Sequence, residues 1–206
     1  MTPRGQSVAL TFDDGPSEPF TRDILASLAR HGIRATFFLI GAHCERLPEI
    51  ARLVAAHGHA IGNHSYSHSL FSGLDFSYRD AERAQLVIEK TTGVRPDLFR
   101  PPYGILFPWH ARRIRALGLS VVRWTFNPAD YRARDPQELS RRVVSGAAPG
   151  DVLLLHDGRA TGEGADRIVT AKALPSIIDG LIGRGFGFAT PSEMTRNSGV
   201  RSPAPD

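Results

Sequence analysis

Seven short apolar runs alternate along the chain with segments whose apolar residues recur at helical spacing. The runs predict strands over 8–12, 35–40, 59–62, 98–100, 121–125, 152–156 and 186–189. The intervening segments predict helices over 20–31, 47–57, 77–92, 108–117, 136–147 and 170–184. Strands that alternate with helices in this way favour an α/β fold with a parallel sheet.

Nothing in the sequence divides this pattern into two parts. The 206 residues, 41% of them hydrophobic, suffice for one large domain with a buried core. No internal repeat and no interdomain linker interrupts residues 1–194, which we therefore expect to form one domain. The polar, proline-rich segment 195–206 predicts a disordered tail.

Composition excludes several classes of protein. No apolar run approaches the roughly 20 residues that span a bilayer, and the first residues lack the apolar segment of a secretory signal. We therefore expect a cytoplasmic protein, or a secreted one if a leader has been removed. Cys44 is the only cysteine, which excludes an internal disulfide and a thiolate metal cluster. The basic residues are spread along the chain rather than clustered, so we expect no nucleic-acid partner. We expect a monomer.

Polar clusters follow the predicted strands at the points where these strands end. The clusters are Asp13-Asp14, His64 with His68, Arg100 to Gly104, Trp124 to Tyr131, and His156-Asp157. In parallel α/β folds, the carboxyl ends of the strands meet on one side of the sheet and carry the chemistry. The sequence therefore predicts one functional site built from five segments.

The residue types in these clusters favour a metal site. The spacing of His64 and His68 would place both imidazoles on one face of a helical turn. With one carboxylate they make a set of two histidines and one acid, which suits zinc and also tolerates cobalt, nickel, manganese or iron. The second aspartate and His156 could then act as base and acid in metal-assisted amide or ester hydrolysis. An oxygenase with the same ligands would need no such acid–base pair.

Four motifs occur in an order that resembles a known family. TFDDGP, HSYSH, RPPYG and LLLHDG resemble the strongest motifs of the polysaccharide deacetylases, the NodB-homology domain of carbohydrate esterase family 4. The likeness covers about residues 7–190 and implies a distorted (β/α)7 barrel, so that 1–194 would be the catalytic domain. It also implies a divalent metal, most often zinc, and removal of N-acetyl groups from N-acetylglucosamine-containing oligo- or polysaccharides of the chitooligosaccharide or peptidoglycan type.

The resemblance implies a role for each motif residue. Asp13 is similar to the base that activates the attacking water, Arg100 to the arginine that keeps this base ionised, and His156 to the acid that protonates the leaving amine. Tyr103 matches the residue whose backbone N–H stabilises the oxyanion. The implied metal ligands are Asp14, His64 and His68, and the implied substrate-binding residues are Leu154 and Tyr131. Pro102 and Trp124 are further candidates for substrate binding, although Trp124 could instead pack in the core.

One motif departs from the family pattern. Asn127 stands where the family usually has an acid that polarises the catalytic histidine, and Asp130 is the next acid along the chain. Because an amide cannot stabilise an imidazolium by charge, we expect a lower pKa for His156 than is usual in the family. Tyr131 replaces a tryptophan and offers a smaller stacking face to a sugar ring.

Four further expectations follow, two of them rival functions. A relative on the same barrel could cleave the C–N bond of a small N-acylated metabolite, which the altered motif favours. A catalytically inactive carbohydrate-binding protein is the other rival, although base, ligands and acid are all present. The glycine-rich loop 158–166 is expected to form a rim over the site. Finally, Asp13 and Asp14 should divide their roles because neighbours on an extended chain point opposite ways.

Overall fold

The computed structural model describes residues 6–69, 78–159 and 167–197. Within these ranges seven strands pair in parallel: β1 (Ser7–Asp13), β2 (Thr36–Leu39), β3 (Ala60–Asn63), β4 (Leu98–Phe99), β5 (Ser120–Val121), β6 (Val152–His156) and β7 (Gly187–Phe188). The helices are α1 (Phe20–His31), α2 (Gly41–Arg46), α3 (Pro48–Ala56), α4 (Arg79–Thr92), α5 (Pro108–Ala116), α6 (Pro136–Gly146), α7 (Ile168–Gly183) and α8 (Pro191–Asn197).

The sheet has the order β5-β4-β3-β2-β1-β6, and β7 pairs with the start of β1. A single parallel bridge between Phe126 and Leu153 joins the segment after β5 to β6, so the sheet curves into an incompletely closed barrel. The expected distorted (β/α)7 architecture is confirmed. The register places Asp13 beside His156, which sets the last residues of β1 and β6 next to each other.

Strand β1 shows how the two sides of the sheet differ. Val8, Leu10 and Phe12 belong to the apolar core shared with the surrounding helices. Thr11 and Asp13 alternate with them and turn to the interior, where both contact Arg100. The period of two in a strand therefore separates a hydrophobic outer layer from a polar interior that leads to the site.

Three predicted elements need correction. The strand expected over 121–125 is only Ser120–Val121, because the chain then leaves the sheet and rejoins it at Phe126. The segment Gly41–Arg46 forms a helix that was not predicted, since six residues are too few to show a helical period. The first three residues of the predicted tail, 195–197, belong to α8, and the rest lie outside the described residues.

Helix α4 ends as predicted, at Gly93 in the left-handed conformation. The predicted rim loop over 158–166 falls mostly outside the residues that the structure describes. Among the helices of the described ranges, none has the length and apolar character that a bilayer crossing requires.

Candidate functional site

The two aspartates of the first motif reach the same cavity. Strand β1 ends at Asp13, and Asp14 then adopts a left-handed φ of 72°. This turn, rather than the alternation of an extended strand, decides the direction of the second carboxylate, and both line the cavity. The two acids meet different partners, as expected, but the turn at Asp14 and not the alternation of a strand separates them.

The two histidines lie on an irregular loop after β3 and not on a helical turn, contrary to the prediction. Ser65 and His68 both have positive φ, which is incompatible with an α-helix. The Asn63 side chain accepts a hydrogen bond from the Ser65 N–H at 2.9 Å, and Ser65 Oγ accepts one from the His68 N–H at 3.0 Å. These side-chain bonds replace the missing helical bonds and bring both imidazoles to one point.

Helix α4 supports this loop from behind. Asp80, in its first turn, accepts hydrogen bonds from the N–H groups of Tyr66 at 3.1 Å and Ser67 at 3.3 Å, between the two histidines. The Asn63 amide donates to the Ala81 carbonyl at 2.9 Å and to the Gln85 side chain at 3.0 Å. The loop that carries the histidines is thus fixed to the start of a long helix.

Asp14, His64 and His68 converge in a way that suits a metal ion. Asp14 Oδ1 is buried, has no hydrogen-bond partner among the described residues, and lies 3.4 Å from Nε2 of each histidine. Donor atoms held about 2.0–2.1 Å from a tetrahedral ion lie roughly 3.4 Å apart. His64 Nδ1 bonds to the Arg100 carbonyl at 2.7 Å, which leaves Nε2 as the ligating atom. The donor set therefore fits a divalent cation.

Asp14 and His68 are held in the forms that bind metal, whereas His64 must release a proton to do so. Burial alone would raise the pKa of the Asp14 carboxyl, but His64 and His68 outweigh burial and hold this pKa well below its usual range. Burial and the charge of His64 lower the pKa of His68 to about 4. Burial also opposes a charged His64, yet Asp13 and Asp14 raise the pKa of this histidine. A carboxylate anion and a neutral imidazole are the forms that bind metal.

Arg100 holds the other aspartate. Its guanidinium is fully buried and donates to Asp13 Oδ1 and to Thr11 Oγ1, each at 2.7 Å. The guanidinium also lies 4.1 Å from the centre of the Phe38 ring. A Cβ at Gly62 would collide with this ring, so the glycine before the histidine loop makes room for the stack beneath the site. Asp13 is therefore held through Oδ1 by Arg100, while its Oδ2 lies 3.7 Å from His64 Nε2.

Asp130 provides the partner of His156. Asp130 Oδ1 lies 2.7 Å from His156 Nδ1, and Oδ2 accepts hydrogen bonds from the His156 backbone N–H at 2.8 Å and from Thr170 Oγ1 at 2.9 Å. Asn127 lines the cavity, but its Oδ1 accepts from the Ala129 N–H. The 3₁₀ turn that begins at Asp130 brings this acid to His156, so the amide at residue 127 does not leave the imidazole without an anionic partner. The expectation that the pKa of His156 is lower than is usual in the family stays a prediction.

The pKa of His156 follows from this pairing. Burial would lower it, but the charge and hydrogen bond of Asp130, with smaller contributions from Asp14 and Asp13, raise it to about 9. A cation bound at Asp14 would offset the rise in pKa that Asp14 and Asp13 cause. The part due to Asp130 remains and favours the protonated imidazole.

Tyr103 lines the cavity beside His68, and Pro102 is not among the residues that line it. Tyr103 has a φ of 56°, and its ring packs edge-on against His68 with centroids 4.6 Å apart. Its backbone N–H meets no acceptor within the described ranges. Pro102 is buried at the start of a 3₁₀ turn, and Pro101 lines the cavity in its place. The assignment of Pro102 to substrate binding stays a prediction.

The cavity above these groups has a volume of about 700 Å³. Of the predicted substrate-binding residues, Leu154, Trp124 and Tyr131 line it. The Tyr131 ring stands edge-on to His156 at 5.7 Å. This space suits one or two sugar-sized groups above the paired acids.

Sequence reasoning missed four residues at the site. Arg159 and Arg167 line the cavity, Asp80 positions the histidine loop, and His43 Nδ1 lies 2.8 Å from the Asp14 carbonyl oxygen. Arg159, three residues after His156, could have been noticed from its nearness to the last motif. The other three reach the site only through the packing of α4, α2 and the start of α7, which no local pattern reveals.

Comparisons with known proteins place this geometry in a family. Residues 1–122 match the family described as polysaccharide deacetylase. The chain is 33% identical to a peptidoglycan-N-acetylglucosamine deacetylase of Bacillus cereus over 196 residues, which are 94% of this chain and 70% of that protein. It is 36% identical over 192 residues to a chitooligosaccharide deacetylase of Sinorhizobium fredii, covering 87% of each.

A third relative is PdaC of Bacillus subtilis, named a peptidoglycan-N-acetylmuramic acid deacetylase. It is 33% identical over 196 residues, which are 94% of this chain but only 40% of PdaC. A solved PdaC structure matches 95% of this chain and 93% of its own with a TM-score of 0.82 and 32% identity. Sequence and structure agree, and the chain belongs to the polysaccharide deacetylase family.

Proposed function

We propose that this protein is a metal-dependent deacetylase that hydrolyses N-acetyl groups of N-acetylglucosamine-containing glycans to acetate and free amines. The family membership supports a hydrolase of amide C–N bonds. The observation that carries the proposal is the division of partners between the two adjacent acids. Asp13 pairs with Arg100, whereas Asp14 faces His64 and His68, and both share one cavity with His156.

In this proposal Asp14, His64 and His68 hold a divalent metal, with zinc the best fit to a set of two imidazoles and one carboxylate. When bound, the metal supplies a Lewis acid that acidifies water and polarises the acetamido carbonyl. Cobalt, nickel or manganese would be tolerated by the same donors.

Asp13 acts as the base. The bond to Arg100 occupies its Oδ1, and Oδ2 lies on the side of His64, 3.7 Å from Nε2. Oδ2 can therefore accept a proton from a water molecule in the cavity while Arg100 keeps the carboxylate in place. The water oxygen then attacks the carbonyl carbon of the acetamido group.

Tyr103 and His156 complete the reaction. The Tyr103 N–H is available to donate to the carbonyl oxygen as it gains negative charge. His156, held by Asp130 through Nδ1, presents Nε2 to the cavity and gives its proton to the departing nitrogen as the C–N bond breaks. The products are acetate and an amino sugar, and the water supplies the atoms that both products gain.

The test is mass spectrometry of products from three kinds of substrate: chitooligosaccharides, peptidoglycan fragments and N-acetylated small metabolites. We expect a loss of one acetyl group per event from a glycan, together with acetate release. The variant His156→Gln should lose most of this activity, about 10²- to 10⁴-fold. His57→Gln, at an exposed histidine, serves as its control. Turnover of the metabolites alone would refute the glycan proposal in favour of a small-molecule amidohydrolase.

A further inference from the structure

Helix α2 contacts both chain segments that carry the proposed metal ligands. At its start, the Ile40 N–H donates to the Gly15 carbonyl at 2.9 Å, directly after Asp14. The next two N–H groups of the chain donate, at 3.0 Å each, to the carbonyls of Ser65 and Tyr66 in the histidine loop. One short helix thus joins the turn that carries the carboxylate to the loop that carries the imidazoles.

The turn presents three successive carbonyl groups, and a side chain serves the middle one. The Asp13 carbonyl accepts from the Asp157 N–H at 3.1 Å, and the Gly15 carbonyl accepts from the backbone of α2. The Asp14 carbonyl oxygen lies 2.8 Å from Nδ1 of His43. Because a carbonyl oxygen can only accept, Nδ1 carries the proton and donates. Backbone donors are present whatever the sequence, whereas this bond depends on the residue at position 43.

The peptide group after Asp14 is held in an uncommon conformation. Asp14 has a φ of 72°, which residues other than glycine adopt only when their surroundings hold them there. A Cβ atom at Gly158 would collide with the Asp14 carbonyl oxygen, so the chain after His156 packs directly against this peptide group. The backbone conformation sets the direction of the Asp14 side chain. The groups that hold the peptide therefore also aim the carboxylate.

We propose that His43 is a positioning residue for the metal: its Nδ1–H holds the Asp14 peptide group in the left-handed turn and keeps the carboxylate 3.4 Å from both imidazole Nε2 atoms. This inference rests on the proposed metal site and adds to it a residue outside the three ligands. Burial lowers the pKa of the half-buried His43 ring, so the ring donates without adding charge near neutral pH. Loss of a group that orients a ligand costs about 10- to 100-fold in metal affinity.

The experiment measures zinc affinity by calorimetry in the wild-type protein, His43→Leu and His43→Asn. His43→Leu removes the donor, and we expect the zinc dissociation constant to rise about tenfold, with kcat at saturating zinc close to that of the wild type. His43→Asn carries its amide nitrogen where the imidazole has Nδ1, so it should restore most of the affinity. If His43→Leu does not fold, His43→Gln replaces it, because that side chain carries its nitrogen one bond further from the backbone.

The control is His57→Leu. His57 also donates from Nδ1 to a backbone carbonyl at 2.8 Å, that of Leu53, but it is exposed and lies just after α3. This variant should keep the zinc affinity of the wild type. A zinc dissociation constant unchanged in His43→Leu would overturn the inference, even if the free energy of unfolding fell, and would leave the deacetylase function intact. A wild-type protein that binds no zinc would refute the proposed metal site and the inference with it.

Discussion

The floor and the rim of the cavity are built by different means. On the floor, Asp13, Asp14, His64 and His68 are almost fully buried, and Arg100 beneath them is completely so. On the rim, half of the Tyr103 side chain and 46% of the Tyr131 side chain are exposed. Each floor residue is fixed by the carboxyl end of a strand or by hydrogen bonds from its neighbours. The rim residues lie on turns between the elements.

This difference suggests that the floor residues carry the reaction and the rim residues determine which substrate binds. The floor holds its charges in mutual pairs, so its geometry is set before any substrate arrives, as catalysis by pre-organised groups requires. The rim presents exposed aromatic faces against which a substrate can pack. Changes on the floor should therefore alter turnover, metal affinity or stability, and changes on the rim should alter the choice of substrate.

Replacement of the buried guanidinium should have the largest effect on stability. Arg100→Met would leave the Asp13 carboxylate buried without its partner, which costs about 3–5 kcal/mol. Urea denaturation should show this loss in the free energy of unfolding. Arg95→Met, at an exposed ion pair, is the control and should cost about 0–1 kcal/mol. Equal losses in the two variants would contradict a pre-organised floor.

Replacement of Asp130, the acid bonded to His156, should shift the pH dependence of kcat. The raised pKa of His156, about 9, means that its acid form persists below that pH and is lost above it. Asp130→Asn removes the charge that raises this pKa, so the alkaline limb of kcat should move to lower pH. The stability that Asp130 contributes is present in full below about pH 6.5 and disappears as pH rises through 9, and Asp130→Asn should remove it.

Asn127→Asp is the matched comparison for Asp130→Asn. Asn127 bonds to the Ala129 N–H and not to His156, so an added carboxylate there should move the alkaline limb less than Asp130→Asn does. If Asn127→Asp moved the alkaline limb and Asp130→Asn did not, Asp130 would not be the acid that sets the pKa of His156. Both profiles can be measured from acetate release over the same buffer series.

Asp80 tests whether the support behind the histidine loop matters for the metal. Asp80→Ala should weaken metal binding about tenfold, because the Tyr66 and Ser67 N–H groups lose their shared acceptor. Asp80→Asn keeps an acceptor oxygen and should restore most of the affinity. Glu82→Ala removes an acid from the same first turn of α4 and should leave the metal dissociation constant unchanged.

The smallest effect is expected on the rim. Tyr131→Trp enlarges the stacking face beside His156 and should lower KM for a chitooligosaccharide about two- to fivefold with kcat unchanged. If kcat fell by the same factor instead, Tyr131 would take part in the reaction rather than in substrate binding alone. Steady-state kinetics over a range of oligosaccharide lengths separates the two parameters.

Much of the fold could be predicted because its signals are local. The apolar runs mark the strands, and Gly93 ends α4 where a left-handed residue is needed. The motif residues could be placed at strand ends for the same reason. The partner of His156 could not, because Asn127 and Asp130 lie three residues apart and only the turn between them decides which one faces the imidazole. Likewise, the left-handed φ of Asp14 is invisible in a sequence where Asp-Gly-Pro already reads as a turn.

The division between the two adjacent acids is the central claim, and the paired variants Asp13→Asn and Asp14→Asn test it most directly. Both changes replace one carboxylate oxygen by an amide nitrogen at nearly constant volume. Zinc titration by calorimetry, with acetate release measured on the same samples, should show that Asp13→Asn keeps its metal and loses about 10²- to 10⁴-fold in turnover. Asp14→Asn should lose metal affinity first. Equal metal loss in both variants, or an active Asp13→Asn, would contradict the account.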